Sequence, residues 1–228
     1  MVRNISDFDS PKPTSFWYLI KDSFGDMQEL STNTRNQVRR GLKNYYIRQI
    51  DAQLLMNHGY SIMCDAVAGY KKATTTTTRE QFVSRLKEAN NEYWGAFDER
   101  DDRLVAFAIN KVAMDYCNYE TLKAYPQAVK QYVYYALIHE MNRYYLQEKG
   151  LRYVTDGTRS ITEHSNIQTF LQEKFHFRPA FCKLQITYTW WLRFFVNVLY
   201  PFRKYINHPS IAALLRQEAM QRNELNNE

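Results

Sequence analysis

Residues Pro126 to Thr155 read PQAVKQYVYYALIHEMNRYYLQEKGLRYVT, and the fold turns on this stretch. Pro126 stands where a helix can begin, because the first helical position has no use for its N–H. Val129, Tyr132, Val133, Ala136, Leu137, Met141 and Tyr144 then recur at helical spacing until Gly150 stops the pattern. The spacing predicts one long amphipathic helix from Pro126 to Gly150, followed by a short strand over Leu151 to Thr155.

Toward the N-terminus, the aromatic-rich apolar runs Glu92 to Asp98 and Leu104 to Lys111 are joined by the charged segment Glu99 to Arg103, a hairpin signal, and a third strand is expected over Val112 to Leu122. Further back, Leu54 to Lys72 and Arg79 to Asn90 read as helices, the second entered by a Thr77-x-x-Glu80 capping box, and Tyr45 to Asp51 as a strand. Ser31 or Thr32 caps a basic helix over Ser31 to Lys43, which Gly41 and Asn44 weaken and close. Toward the C-terminus come a helix over Ser165 to Phe175 and a strand over Phe181 to Tyr188. The order is β-α-α-β-β-β-α-β-α-β behind one basic helix: an α/β fold with a mixed central sheet flanked by helices.

A length of 228 residues at 45% hydrophobic content suffices for one core and argues against disorder. With 18 Tyr and 13 Phe, much of the buried area comes from rings whose hydroxyls need partners. The net charge of +6 fits anionic ligands, nucleic acid or acidic headgroups without separating them. Cys64, Cys117 and Cys182 are odd in number and far apart, which argues against a disulfide framework and a zinc knuckle. His58, His139, His176 and His208 show no metal-ligand spacing, so no metal is expected. Met1 to Thr14 has no apolar run of the secretory kind, and a cytoplasmic location is the expectation.

The order of elements over roughly residues 45 to 188 resembles the GNAT acyltransferase fold. Ser165 to Phe177, SNIQTFLQEKFHF, is similar to that family's Asn-x-x-Ala-x-x-Leu-Tyr-Glu-Lys-x-Gly-Phe helix. The same segment resembles the Phe-Lys-x-Lys-Phe-Gly region of the Fem-type aminoacyl transferases, and Ser31 to Lys43, STNTRNQVRRGLK, their Arg-x-x-x-Arg helix. Both resemblances imply transfer of an acyl group from an activated donor to an amine acceptor, on a small molecule or a lipid or cell-surface polymer precursor. They imply that the strands over Val112 to Leu122 and Leu151 to Thr155 run side by side and part at one end, with Tyr125, Asp156 and Arg159 on the walls. Acyl-CoA is the donor of the GNAT family, yet Leu122 to Ala128, where its glycine-rich pyrophosphate loop belongs, has no glycine. Gln172 stands where that family often carries a proton-donating tyrosine.

Thr155 to His164 follows a strand and precedes a helix, where open α/β folds bind ligands. Asp156 or Glu163 could accept a proton from an attacking amine, His164 could act as a base near neutral pH, and Arg159 could hold an anionic group. Ser160, Asn166 and Tyr125 complete the substrate side, and Gly157 and Gln172 the donor side. The segment reads equally as a polar connection in which Asp156-Gly157 turns the chain and Ser165 caps a helix. Arg35, Arg39 and Lys43 form a stripe that either contacts phosphates or is simply solvated. Nucleic acid is disfavoured because basic residues elsewhere are interleaved with acids, tRNA as the carrier of an aminoacyl donor excepted. Trp190 to Phe202 is too short to span a bilayer; as a helix it must bury a wide aromatic face on the domain, a partner or a membrane surface. The expected organisation is therefore an extension over 1–30, a GNAT-like domain over 31–189 and a C-terminal helical extension over 190–228 whose polar end frays. The alternative function is a catalytically silent binding or assembly module on the same fold.

Overall fold

The computed structural model describes residues 1–68, 77–160 and 166–224. Its strands are β1 (Val2–Ser10), β2 (Phe16–Lys21), β3 (Tyr45–Ile50), β4 (Asn91–Asp98), β5 (Leu104–Val112), β6 (Tyr116–Ala124), β7 (Tyr153–Thr158) and β8 (Arg178–Thr187). Its α-helices are α1 (Asp26–Glu29), α2 (Thr32–Asn44), α3 (Ala52–Ala68), α4 (Arg79–Leu86), α5 (Pro126–Lys130), α6 (Val133–Asn142), α7 (Ile167–Phe175), α8 (Trp190–Leu199) and α9 (Pro209–Gln221). They form two compact units, a central one of Lys21–Gly157 and Thr169–Phe177, and a terminal one of Met1–Ile20, Thr158–Gln168 and Arg178–Glu228.

The central unit is a mixed sheet in the order β7-β6-β5-β4-β3, antiparallel except where β6 meets β7. β5 is buried on both faces from Leu104 to Asn110, and its period-2 alternation sorts those faces. Phe107 and Ile109 pack with Leu55 and Ile62 of α3 and Phe82 and Leu86 of α4. Ala106, Ala108 and Asn110 lie on the other face, where the Asn110 amide donates to Met141 Sδ of α6. This is a GNAT-like α/β architecture.

Local chemistry sets several element ends. Ser31 caps α2 by accepting from the Thr34 N–H. At α4 the capping box falls one residue later than the sequence suggests, with Thr78 and Gln81 in place of Thr77 and Glu80. The β4–β5 hairpin is closed by Asp98, whose buried carboxylate accepts from the Arg100 N–H, Nε and Nη2 at 3.0, 2.9 and 2.7 Å. Those bonds hold the Asp98 pKa down to about 2.

The long helix expected from Pro126 to Gly150 is broken. Tyr132 adopts φ 69°, a left-handed conformation, between α5 and α6, and Arg143–Glu148 is π-helical. Apolar spacing survives both irregularities, so periodicity alone could not reveal them. The break meets α2: a Cβ on Gly41 would come within 2.5 Å of the Tyr132 carbonyl oxygen and 3.1 Å of the Ala136 Cβ. Gly41 therefore marks the close crossing of α2 and α6, and the helix closes at Asn44 as the sequence suggests.

In the terminal unit β8 pairs antiparallel with both β1 and β2. β1 and β2 fall inside the segment read above as an extension. The polar alternation of β1 carries little hydrophobic signal, and β8 is what pairs it. α9 is the helix that the composition of the tail suggests, with Leu215, Ala219 and Met220 buried, the last against Phe16, Cys182, Leu184 and Ile186; the polar end over 225–228 lies outside the described residues.

Gly41→Ala is expected to cost about 1–3 kcal/mol in urea unfolding, because backbone must yield to the added methyl. The depressed Asp98 pKa stabilises the fold above its unfolded-state value, so stability should fall as pH drops from about 4 toward about 2, and Asp98→Asn should flatten that acid limb.

Candidate functional site

β6 and β7 run parallel but pair briefly: Tyr116 with Tyr153, Cys117 with Val154, and Asn118 with Thr155. β6 continues to Ala124 and β7 to Thr158, and beyond those three pairs the described strands have no register with each other. Two irregularities sit where they part. On β6, Tyr119 faces Asn110 and Thr121 faces Ile109, which leaves Glu120 as the extra residue of a β-bulge. On β7, Gly157 takes φ +83°, open to glycine and strained for other residues, and its N–H donates to Thr155 Oγ1 at 3.0 Å.

A cleft of about 390 Å³ lies here, lined by Arg85, Glu88, Asn118, Tyr119, Glu120, Asp156 and Gly157. One carboxylate comes from each parting strand, Glu120 from β6 and Asp156 from β7, with Glu88 joining from beyond α4. Glu88 accepts from Lys111 Nζ at 3.1 Å, which raises the lysine's pKa, and Glu120 Oε1 accepts from Asn118 Nδ2 at 3.4 Å. Of the three lining carboxylates Glu88 is paired with Lys111, so Glu120 and Asp156 are the acidic groups that the two strands contribute, with Arg85 the one cation among the described lining residues.

The opposite face of β5 and β6 is held by buried polar rings. Tyr119 donates to Asn142 Oδ1 at 2.9 Å. The Tyr145 hydroxyl accepts from Trp94 Nε1 at 2.9 Å and from Asn110 Nδ2 at 3.3 Å. The π-helical turn sets Tyr144 and Tyr145 edge-on to Trp94, at ring separations of 5.2 and 6.1 Å. Burial pushes the Tyr119, Tyr145 and Cys117 pKa values up, so all three stay neutral at physiological pH.

Of the residues singled out in the sequence, Asp156 and Gly157 line the cleft. They lie inside β7, not in a turn after it. Tyr125 caps α5, with its hydroxyl 3.1 Å from Ser61 Oγ and its ring against the α3–α4 core. Arg35 donates through Nη2 to the Leu30 carbonyl, Arg39 is exposed, and neither is among the cleft-lining residues. Gln172 is half-buried on α7. Arg159, Ser160 and Asn166 belong to the terminal unit. There Arg159 Nη1 donates to the Ser15 carbonyl at 3.0 Å with its guanidinium over the Trp17 ring, the Ser160 N–H donates to Gln168 Oε1, and Asn166 is exposed. Glu163 and His164 lie outside the described residues. His139 is buried on α6, where desolvation lowers its pKa, with Asp26 Oδ1 at 3.5 Å.

The sequence reading did not single out Glu120, Glu88 or Arg85. Glu120 had a signal: small or apolar residues on β6 fall at Cys117 and Tyr119, then slip one residue to Leu122 and Ala124, and that slip marks the bulge. Arg85 and Glu88 come from a helix whose position only the packed fold supplies.

The turn from β6 into α5, Ala124-Tyr125-Pro126-Gln127-Ala128, does not fit a pyrophosphate. Pro126 has no N–H, the Ala128 N–H is already bonded to the Tyr125 carbonyl, and α5 is only five residues long. Among the described residues no group of three or more His, Cys, Asp or Glu could hold a metal ion, and no helix is long and apolar enough to cross a membrane.

A parallel strand pair that parts beside a bulge, with helices on both faces of a mixed sheet, defines a GNAT-like fold of the kind found in Fem-type proteins. No family model matches the sequence, and no curated protein matches it by sequence. Solved structures do match: FemX, with a TM-score of 0.58 at 11% identity over 75% of this chain and 60% of that one, and L-PGS from Bacillus licheniformis, with 0.53 at 9% identity over 84% of this chain and 64% of that one. The chain thus spans less than two thirds of the length of either, and at these identities the likeness is one of fold.

Tyr145→Phe is expected to destabilise the protein by about 1–3 kcal/mol in denaturant unfolding, because it leaves the Trp94 N–H buried without an acceptor and takes one of two from Asn110.

Proposed function

We propose that this protein is an acyltransferase that moves an acyl or aminoacyl group from an activated donor to an amine. The observation that supports this reading is the parting of β6 and β7 with a carboxylate on each strand. An acceptor amine enters as an ammonium, is drawn by Glu120 and Asp156, and must lose a proton before it can attack. Asp156 or Glu120 takes that proton. The nitrogen lone pair then forms the new C–N bond at the donor carbonyl, whose oxygen is polarised by backbone N–H groups on the separated strand edges. The nitrogen, cationic once bonded, loses its second proton as collapse breaks the bond to the leaving oxygen or sulfur; that proton passes to the leaving group through solvent, since Gln172 cannot donate as a tyrosine would, and the first leaves the carboxylate for bulk water. Holding the two reactants together in the opening supplies most of the rate.

The ill-fitting turn before α5 leaves the donor open between acyl-CoA and aminoacyl-tRNA, and the amine acceptor between a small molecule and a lipid or polymer precursor. The same turn and Gln172 favour the second reading, a silent binding module, in which either ligand binds without turnover. Arg159, Ser160, Asn166, Glu163, His164, Arg35 and Arg39 enter this proposal as substrate contacts or bases supported by the sequence alone.

Calorimetric titration with acyl-CoA and with aminoacyl-tRNA is expected to show binding of one of them; no heat with either, from folded protein, overturns the reading. With the productive donor, Asp156→Asn or Glu120→Gln should lower kcat by roughly 10²–10⁴-fold with little change in stability. Wild-type turnover from both variants would remove the carboxylates from the mechanism.

A further inference from the structure

The terminal unit carries an apolar face that its own packing leaves uncovered. α8 turns Val196, and the 3₁₀ turn after it turns Tyr200, into a small core with Leu215 and Ala219 of α9. Trp190, Trp191, Phe194, Phe195, Phe202 and Tyr205 point away from that core, and Trp190 and Tyr205 are 85% and 83% exposed. A monomeric surface seldom leaves so many large rings in one stripe. The stripe is ordered: tryptophans at one end, tyrosine at the other, phenylalanines between. A wide face of Trp, Phe and Tyr on a helix whose other side is packed is the composition of a helix lying in the plane of a bilayer interface.

Charge identifies the occupant. From Lys174 to Gln217 the chain has no aspartate or glutamate, while Lys183, Arg193, Arg203, Lys204 and Arg216 fall within it. The acids that follow it, Glu218 and Glu224, are engaged by Arg222 at 2.8 Å and by Arg203 at 3.1 Å. Arg222 also donates to Asn197 Oδ1, so the polar side of α8 is tied to α9 and the aromatic side faces outward. A broad aromatic face in an acid-free, cationic segment complements an anionic surface with an apolar interior.

We propose that the aromatic face of α8 and its following turn is an interfacial anchor that seats this protein on an anionic lipid bilayer. The rings enter the boundary between headgroups and acyl chains to a depth of about 5–10 Å, with the helix lying in the membrane plane and spanning nothing. Arg193 and Lys204 meet the headgroups. The anchor uses neither the cleft nor a donor, so it stands or falls apart from the transferase reading.

The test uses the whole chain with two kinds of vesicle, phosphatidylcholine alone and phosphatidylcholine containing phosphatidylglycerol. Wild-type protein is expected to co-sediment with the anionic vesicles, less so as salt is raised, and to shift its tryptophan emission to shorter wavelength on binding. The triple variant Trp190→Ser, Phe194→Ser, Phe195→Ser alters exposed side chains only and should keep the wild-type circular dichroism. Its partitioning should fall by about tenfold or more. Failure of the wild type to bind anionic vesicles, or equal binding by the variant, overturns the proposal. So does a wild-type dimer in sedimentation equilibrium that the variant abolishes without any vesicle binding, since a second copy would then cover the face.

Discussion

Two strands that are bonded over three residue pairs and then stop being bonded create an obligation for everything around them. Backbone groups along the separated edges of β6 and β7 no longer bond one another, and the Gly157 N–H turns to Thr155 Oγ1 instead. The separation is built in at two points, the bulge at Glu120 and the left-handed Gly157, so it does not await a ligand to pry it open. An opening fixed in advance costs little to fill, because no strand pairing has to be broken first.

Keeping the opening rigid falls to the sheet behind it. β5 is buried on both faces and pairs with β4 and β6, so β6 has a firm neighbour on one side while it leaves β7 on the other. Small Ala106 and Ala108 let α6 lie close, and Tyr145, Trp94, Asn110, Tyr119 and Asn142 tie α6 and its π-helical extension to the sheet by directional bonds. The left-handed Tyr132 and the bare Gly41 allow α2 to close over the same helix. The phenols and thiol of this layer are held neutral by burial, while the carboxylates line the cleft.

The terminal unit follows a different rule. α9 is held by Leu215, Ala219 and the bond from Arg222 to Asn197, while α8 spends only a narrow strip of its surface on that core. Its remaining rings stay exposed, in a stretch of chain that carries cations and no acids.

Much of this was legible in the residues. The hairpin around Asp98, the Ser31 cap, the alternation of elements and the apolar face after Trp190 follow from short-range chemistry, and the one-residue slip on β6 lay open to a closer reading. What lay beyond it needed partners distant in sequence. β1 is a strand because β8 pairs it, Gly41 is required by the Tyr132 carbonyl ninety-odd residues later, and Arg85 and Glu88 share a cleft with Asp156 only once α4 lies against the sheet. The sequence alone determined which segments could be helix or strand, since capping and periodicity act over a few residues. The tertiary structure decided which charges face one another and where two strands separate, because those depend on packing between segments that the chain itself keeps far apart.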